Sequence, residues 1–241
     1  MSQFLENQVA IVTGGTKGIG RAIAEALMDA GASVAIGARH GAEVERAVKE
    51  LNARNKGSGR AIGAVMDVGN AQDVTKFFGV VDTEFGGAGI LINNAGIGIF
   101  RPAADLTIEE WDQVIRTNLN GVFYASREAL ARFRTKGGGY IINISSLAGK
   151  NPFAGGSAYN GAKFGVNGFS EAMMLDHRQE NVRVSYIMPG SVDTEFSSRS
   201  TGTASWKIAP QDVAEITLML LRMPPRTLIS RVEVRPAKPA K

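Results

Sequence analysis

The chain lacks cysteine entirely, and it has only two histidines, His40 and His177, among its 241 residues. Without cysteine there can be no disulfide, no thiolate metal ligand and no cysteine nucleophile. Two histidines leave almost no basis for a histidine-built metal centre or for a Ser-His-Asp hydrolase. The composition therefore disfavours thiol chemistry and classes of hydrolase that need histidine, and no metal site is predicted.

Long apolar runs and a strong charge of one sign are also missing. No run approaches the roughly 18 apolar residues of a membrane span, and Met1 to Asn7 is short and polar, unlike a secretory signal. The 27 Lys and Arg against 23 Asp and Glu leave a net charge of only +4, and the cations are scattered along the chain. We therefore expect a cytoplasmic protein that binds neither membranes nor nucleic acid.

Glycine is the residue in excess, and the pattern around it is regular. Short β-branched runs alternate with amphipathic stretches, which is typical of βαβ units that build a parallel sheet covered on both faces. The predicted strands are 9–13, 33–36, 61–66, 90–92, 140–144, 182–187 and 228–234. The apolar residues between them recur at helical spacing, as from Val44 to Leu51, from Val74 to Val81, from Trp111 to Phe123 and from Val213 to Leu220.

This pattern predicts one α/β domain over residues 1–241, without linker or repeat. Residues 236–241 are basic and proline-rich, and we interpret them as a frayed tail. One long irregular stretch follows Pro189 and runs to about Trp206. A loop of that length in a compact domain is usually functional or mobile, so a lid over the carboxyl edge of the sheet is one interpretation.

A glycine-rich turn, Thr13-Gly-Gly-Thr-Lys-Gly-Ile-Gly20, joins the first predicted strand to the first predicted helix. The spacing of Gly14, Gly18 and Gly20 differs from the Gly-x-Gly-x-x-Gly pattern, but the physics is shared. Residues without side chains let backbone N–H groups approach a pyrophosphate, whose charge the helix N-terminus favours. Such a turn is often only structural, but its place after the first strand favours a nucleotide cofactor.

The end of the second predicted strand indicates which nucleotide is preferred. A carboxylate there would accept hydrogen bonds from a ribose 2′-hydroxyl, whereas an arginine would pair with a 2′-phosphate. The strand ends Gly37-Ala-Arg39 without an acid, and Lys17 lies in the glycine turn. The two cations favour NADP over NAD, the alternative being that both are solvated surface charges.

Tyr159 and Lys163 are four residues apart in an amphipathic segment, so they lie on one helix face. At roughly 4 Å and an effective dielectric near 20, the ammonium would stabilise a phenolate by on the order of 4 kcal/mol, enough to lower a tyrosine pKa by ~3 units. Tyr159 would then serve as a general acid and base. Ser145, Ser146, Asn93 and Asn94 end neighbouring strands, although turn chemistry alone explains each of them.

In combination these motifs resemble the short-chain dehydrogenase/reductase family over nearly the whole chain. They occur in the family's order: the glycine turn, Asp67, Asn93-Asn-Ala-Gly96, Asn118, Ser146 thirteen residues before Tyr159, Lys163, and Pro189-Gly190 followed by Thr194. The resemblance implies a doubly wound, Rossmann-type domain with a seven-stranded parallel sheet. It also implies an NADP-dependent oxidoreductase that moves hydride between a nicotinamide and a carbonyl or alcohol.

The resemblance assigns roles to individual residues. It makes Tyr159 the acid and base, Ser146 the group that orients the substrate oxygen, and Lys163 both the tuner of Tyr159 and a partner of the nicotinamide ribose. Asn118 would hold a water that links Lys163 to solvent, and Asn93 would be more structural. The implied cofactor contacts, besides Tyr159 and Lys163, are Gly14, Thr16, Lys17, Gly18, Ile19, Gly20, Arg39, Asp67, Val68, Asn94, Ala95, Gly96, Pro189, Gly190, Val192 and Thr194.

The substrate is expected to be small and apolar. A mostly apolar wall suits a hydrophobic ketone or a 3-oxoacyl group better than a sugar, and its predicted members are Ile97, Ile99, Phe100, Leu147, Phe153, Met188, Phe196 and Trp206. A 3-oxoacyl-carrier-protein reductase is the narrower alternative. It would need a basic patch for the acidic carrier, for which Arg127, Arg132, Arg134 and Lys136 are candidates, unless they only complement a helix C-terminus.

Two further expectations concern assembly and activity. The resemblance implies a homo-oligomer, a tetramer or a dimer, with the Trp111 and Tyr159 helices at the interface. A non-catalytic NADP-binding regulator is the alternative from another class, but such a protein would be expected to lose Ser146, Tyr159 or Lys163, and all three are present. The chain also lacks the Gly-rich segment with which fatty-acid-type members usually end after the last strand.

Overall fold

Strands and helices alternate along the chain, as the periodicity predicts. The computed structural model describes residues 3–55, 57–196 and 206–239. In these residues the order is β1 (Val9–Thr13), α1 (Gly18–Asp29), β2 (Ser33–Ala38), α2 (Gly41–Arg54), β3 (Ala61–Val65), α3 (Ala71–Phe85), β4 (Ile90–Asn93), α4 (Ile108–Ile115), α5 (Gly121–Lys136), β5 (Gly139–Ile144), α6 (Ser157–His177), β6 (Val182–Pro189), α7 (Pro210–Arg222) and β7 (Arg231–Val234).

The strands form one sheet whose order reverses next to the first strand. Across the described ranges seven strands pair in the order β3-β2-β1-β4-β5-β6-β7, and every pairing is parallel. The chain passes from β3 at one edge to β4, which lies on the other side of β1. In open α/β sheets ligands bind outside the carboxyl ends of the strands at such a reversal. The predicted doubly wound fold is confirmed.

Helices cover both faces of the sheet, and successive residues of β1 show how. Ala10 and Val12 pack with the helices α1 and α7, whereas Ile11 packs with α3, α5 and α6. Because neighbouring side chains of a strand point to opposite faces, one short apolar run serves two cores. The second core holds the large buried rings of Phe77 and Phe133. No helix in the described ranges is both long and apolar enough to cross a membrane.

Two differences from the sequence-based prediction are larger than a shift of one or two residues at the end of a strand. The helical stripe from Trp111 to Phe123 is broken by a π-helical turn, Arg116–Asn120, between α4 and α5. Such turns widen a helix by one residue and often occur at functional sites. The last strand begins at Arg231 instead of 228, although Ile229 still packs against the core and its carbonyl accepts a hydrogen bond from Ser185 Oγ at 2.6 Å.

Candidate active site

The glycine turn has a backbone that other residues would not adopt easily. Gly14 and Gly18 have φ angles of +66° and +57°, in the left-handed region that favours glycine. Gly20 is required for another reason, since a Cβ there would lie 2.3 Å from the Gly14 carbonyl oxygen and from Asn94 Nδ2. The first turn of α1 therefore packs directly against the glycine turn, with N–H groups of the helix start facing the carboxyl edge.

Side chains of β1 and β4 hold this turn in place. Thr13 Oγ1 accepts hydrogen bonds from the backbone N–H groups of Asn94 and Ala95, each at 3.0 Å. In return Asn94 Nδ2 donates to the carbonyls of Thr13 and Gly14 at 3.1 and 3.0 Å. Asn93 is buried below and donates to Ser126 Oγ and Asn143 Oδ1. Asn94 thus shapes the site through the backbone, and Asn93 has the structural place that was expected.

A cleft of about 970 Å³ extends along the carboxyl edge and brings most of the predicted residues together. Of the implied cofactor contacts all line it except Gly20, which lies beneath the turn, and the cleft also reaches Ser146, Tyr159 and Lys163. His40 and Glu43 line its β2 end as well, although no motif in the sequence points to them. The sequence gives one indication of them, which is their position just after Arg39 at the start of α2.

The β2 end of the cleft carries exposed charges. The Lys17 ammonium lies 3.7 Å from Glu195 Oε2, and both side chains are well exposed, so their pairing contributes little to stability. Arg39 is exposed at the end of β2, beside His40. Asp67 lines the cleft while its Oδ1 accepts a hydrogen bond from Gly69 N at 2.9 Å, which fixes the turn after β3. The cations can therefore reorient toward a phosphate, whereas Asp67 is held in place.

Tyr159 and Lys163 lie in the first turns of α6 and face the end of β5. Lys163 is only 5% exposed, and its Nζ donates to the Ile144 carbonyl at 2.9 Å. The same nitrogen lies 5.7 Å from the centroid of the Tyr159 ring. Ser146 follows β5 directly, where its Oγ accepts a hydrogen bond from Ala148 N at 3.1 Å. Hydroxyl, phenol and ammonium thus converge at one point of the cleft.

Burial governs the protonation of this group. Desolvation raises the pKa of Tyr159, and a hydrogen bond with Ser146 lowers it by less. Burial lowers the pKa of Lys163 to about 8, so the ammonium is still protonated at neutral pH. The pKa of Tyr159 is therefore raised, whereas the sequence-based expectation was that Lys163 would lower it. The reason is that removing a phenolate from water costs more free energy than a cation beside the ring gives back.

Asn118 lies in the π-helical turn and is fully buried. Its Oδ1 accepts a hydrogen bond from Ile97 N, and its Nδ2 donates to the Ile97 carbonyl, both at 2.8 Å. This two-point contact fixes the segment that follows Gly96. Asn118 does not line the cleft, so the structure assigns its side chain to holding the wall of the site.

The apolar wall is close to the one that was predicted, with two corrections. Of its predicted members, those that line the cleft are Ile97, Phe100, Leu147, Phe153, Phe196 and Trp206. Ile99 instead packs against Val114 and Ala158 under the wall. Met188 is 2% exposed, and its sulfur accepts a hydrogen bond from Asn167 Nδ2 at 3.4 Å. Met188 points away from the cleft because its neighbour in β6, Pro189, lines the cleft, and neighbouring residues of a strand face opposite sides.

The candidate patch for an acidic carrier protein lies far from this cleft. The helix α5 begins near the carboxyl edge and ends at Lys136, just before β5 starts at the opposite edge. Arg132 pairs with Asp82 and Glu128, and Arg134 pairs with Glu180. These two cations are therefore already neutralised, at the edge of the sheet away from Tyr159.

Comparison with known proteins agrees with the geometry. The family described as short chain dehydrogenase matches residues 8–204. An uncharacterized oxidoreductase of Staphylococcus aureus strain USA300 is 31% identical over 232 residues, 96% of this chain and 98% of the relative. A related oxidoreductase of Staphylococcus saprophyticus is 29% identical over the same shares of both chains.

Solved structures are similar over the whole fold. A metagenomic short-chain oxidoreductase in complex with NADP has 35% identity and a TM-score of 0.85, covering 98% of this chain and 99% of its own. An alcohol dehydrogenase from the archaeon Thermococcus sibiricus, complexed with 5-hydroxy-NADP, has 27% identity and a TM-score of 0.89, covering 97% and 99%. Together with the glycine turn and the converging Ser146, Tyr159 and Lys163, these matches show that the chain belongs to the short-chain dehydrogenase/reductase family of oxidoreductases.

Proposed function

We propose that the protein is an NADPH-dependent oxidoreductase that reduces a carbonyl group to an alcohol, with Tyr159 as the proton donor. The observation that carries the proposal is the convergence of Ser146, Tyr159 and Lys163 in the same cleft onto which the glycine turn opens. A hydroxyl, a phenol and a buried ammonium at one point supply an oxygen-binding group, a proton and a cation.

The residues of the cleft fit an NADP cofactor. Two left-handed glycines and the close approach at Gly20 leave backbone N–H groups open to a pyrophosphate. Arg39 and Lys17 would hold the 2′-phosphate, while Asp67 and Val68 would contact the adenine. We place Asn94 to Gly96 along the adenosine side and Pro189, Gly190, Val192 and Thr194 at the nicotinamide. The NADP ligands of two structural relatives support this assignment.

The protein's own residues have separate roles at the substrate carbonyl. The bound cofactor supplies the hydride. Ser146 orients the substrate oxygen, and Tyr159 gives its proton to that oxygen as the negative charge develops. Because the pKa of Tyr159 is raised by burial, the phenol is protonated at neutral pH and ready to donate. Lys163, protonated at neutral pH, holds the nicotinamide ribose and favours the phenolate that forms.

Replacement of Tyr159 by Phe tests the proposal, because it removes one hydroxyl and keeps the ring contacts. We expect kcat for NADPH-linked ketone reduction to fall by on the order of 1,000-fold, while the Kd for NADPH from fluorescence titration stays within about twofold of the parent value. Near-normal turnover by this variant would contradict the role of Tyr159. NADPH binding by the parent chain without turnover of any carbonyl would instead support a non-catalytic NADP-binding regulator.

We also propose that the protein forms a homo-oligomer through α4, α5 and α6. Trp111, Phe123 and Phe164 expose large apolar surfaces on these helices, and apolar patches of this kind mark protein interfaces. Sedimentation velocity should give the mass of a dimer or a tetramer, and Phe164→Glu should shift it toward the monomer. A monomer at assay concentration would contradict this part of the proposal.

A further inference from the structure

Three phenylalanines surround the ring of Tyr159, and each comes from a different loop. Phe100 follows β4, Phe153 follows β5 and Phe196 follows β6. Their ring centroids lie 5.6, 6.4 and 5.8 Å from that of Tyr159. Phe100 and Phe153 are also 5.7 Å from each other. We call Phe100, Phe153 and Phe196 the phenylalanine cage.

The cage is open to the cleft. Its three side chains remain 41%, 46% and 43% exposed although each packs against Tyr159, and all three line the cleft. Trp206 lines the cleft as well. Exposed rings that converge on a proton donor leave apolar area to be covered by a ligand. Aromatic rings also favour tilted or edge-to-face neighbours, which a planar ligand ring can supply.

Apart from the buried Lys163, the charged side chains described at this end have partners of opposite charge. Asp193 lies 3.8 Å from Lys207, and Arg235 lies 3.3 Å from Glu233. A substrate with its own charge would have to compete with these partners. An uncharged apolar substrate meets no such cost.

We infer that the substrate is an uncharged ketone or aldehyde whose carbonyl carbon carries an aromatic ring, which the phenylalanine cage holds. The inference rests on the proposed function and names its substrate class. The carbonyl oxygen must reach hydrogen-bond distance of the Tyr159 hydroxyl, and the cage rings surround that same side chain. A ring bonded directly to the carbonyl carbon fits this spacing, whereas a long flexible acyl chain would lose more conformational freedom there.

Two methyl ketones of eight carbons, acetophenone and octan-2-one, test the inference in the parent chain and in Phe153→Leu. We expect the parent to prefer acetophenone in kcat/KM by about tenfold or more, and Phe153→Leu to reduce this preference by about fivefold. Because this preference is a ratio of two kcat/KM values measured in the same variant, a general loss of activity in Phe153→Leu cancels from it. Phe85→Leu is the matched control, because Phe85 lies at the end of α3 and stacks with Arg60 away from the cleft.

The outcomes separate the substrate class from the proposed function. Turnover of octan-2-one or of a 3-oxoacyl thioester in preference to acetophenone would overturn the aromatic assignment and leave NADPH-linked reduction intact. If no carbonyl is turned over, calorimetric titration of the NADPH complex still decides. Tighter binding of acetophenone than of octan-2-one, lost in Phe153→Leu, supports the cage as a ring-binding site, and equal binding overturns it.

A separate observation points to a positioning residue behind Ser146. Tyr159, Lys163 and Asn167 follow one another at intervals of four residues on α6, so they share a face. Asn167 Oδ1 accepts a hydrogen bond from Ser145 Oγ at 2.5 Å, and its Nδ2 donates to the Gly149 carbonyl at 3.0 Å. Asn167 itself does not line the cleft.

We infer that Asn167 positions Ser146 relative to Tyr159. Two of its hydrogen bonds hold Ser145 and Gly149, at the two ends of the turn that carries Ser146. The turn approaches α6 so closely that a Cβ on Gly149 would lie 2.7 Å from the Lys163 carbonyl oxygen. Tyr159 and Ser146 lie on different elements, so a link between those elements sets the distance between the two hydroxyl groups.

Asn167→Leu tests this role through a double-mutant cycle with Ser146→Ala. We expect kcat to fall about tenfold in the parent background and less than twofold in the Ser146→Ala background, with the Kd for NADPH unchanged. Faster amide exchange at residues 146–149 should accompany the change even without an assay. Asn52→Leu is the matched control, since Asn52 makes two hydrogen bonds with the Ala61 backbone away from the site. Equal losses of kcat in both backgrounds, or unchanged exchange at 146–149, would overturn the inference.

Discussion

The two halves of the cleft are built in different ways. The proposed cofactor half is made largely of backbone: the glycine turn after β1, the end of β4 that is bonded to it, and the ends of β2 and β3. The proposed substrate half is made of side chains that come from loops after β4, β5 and β6. Backbone sites need particular residues at particular spacings, whereas a side-chain wall needs only apolar residues that meet in space. The first half can therefore be identified from motif spacing. For the second half the sequence predicts apolar candidates, most of which line the cleft, but their arrangement around Tyr159 depends on packing.

Gly20→Ala should have the largest effect on the cofactor half. The added methyl group would lie 2.3 Å from the Gly14 carbonyl and from Asn94 Nδ2, so the turn must move away from its binding geometry. We expect NADPH affinity, measured by calorimetry, to fall by about 100-fold or more, because a misplaced turn loses several charge-assisted hydrogen bonds. Gly79→Ala on α3 is the control, since nothing lies within 4 Å of its added Cβ. Wild-type affinity in Gly20→Ala would show that this half tolerates side chains as the other does.

Arg39→Leu should change the binding of NADPH and NADH by different amounts, because only NADPH carries the 2′-phosphate. If Arg39 holds the 2′-phosphate, its loss removes a charge-assisted hydrogen bond worth about 2 kcal/mol, or roughly thirtyfold in affinity. The Kd for NADPH should rise by that factor, while the Kd for NADH, which lacks the phosphate, should stay within twofold. Fluorescence titration with both nucleotides checks this. Equal changes for the two nucleotides would mean that Arg39 is only a solvated charge.

Lys163 lies where the two halves of the cleft meet, and Lys163→Met should reveal how much the burial of its ammonium lowers the free energy of unfolding. The pKa of Lys163 is lowered by burial from 10.5 to about 8. Between these values the unfolded chain is protonated and the folded chain is not, so the free energy of unfolding rises with pH in this range. From pH 7 to 9.5 the rise is about 2 kcal/mol from this group alone.

Urea unfolding of the parent chain and of Lys163→Met at both pH values measures that contribution. The difference between the two chains should change by about 2 kcal/mol between pH 7 and 9.5, with the parent gaining on the variant. The neighbouring Tyr159 does not add to this change, because burial raises its pKa and it stays protonated in both folded chains over this range. A difference that stays constant with pH would mean that Lys163 titrates near its ordinary pKa, with no cost of burial.

Arg134→Ala should have the smallest effect, because it lies outside both halves. The side chain is exposed and pairs with Glu180 at 2.9 Å, and exposed pairs of this kind contribute little to stability. We expect kcat/KM to stay within twofold for a carrier-protein-linked 3-oxoacyl substrate, and the urea midpoint of unfolding to stay close to that of the parent chain. A tenfold loss with the carrier-linked substrate alone would support a carrier-docking role for the patch at the end of α5.

The strands show what local pattern can predict. Val9–Thr13 has the same bounds in the sequence-based prediction and in the structure, because its β-branched run is bounded by polar residues and a glycine turn. The π-helical turn at Arg116–Asn120 was not predictable from spacing. Asn118 reaches the backbone of Ile97, twenty-one residues away in the chain, and that long-range contact accompanies the wider turn.

The residues of the candidate site also fall into those that local pattern predicts and those that depend on packing. Motif spacing along the chain is enough to identify Ser146, Tyr159 and Lys163, since strand ends and helix faces follow from periodicity. The inward orientation of Ile99 and Met188, and the link from Asn167 to Ser145 and Gly149, depend on packing between separate elements. The same is true of the pKa of Tyr159, since desolvation depends on everything that surrounds the side chain.

Residue type and spacing along one or two elements are enough to predict the α/β class, the glycine turn, the two cations on which the proposed NADP preference rests, and the Ser146, Tyr159 and Lys163 group. Packing in three dimensions establishes the rest: three phenylalanines surround Tyr159, Asn118 and Asn167 hold the turns beside the site, and the basic end of α5 lies at the opposite edge of the sheet. Contacts between residues far apart in the chain are set by how the elements pack, and no local pattern encodes them.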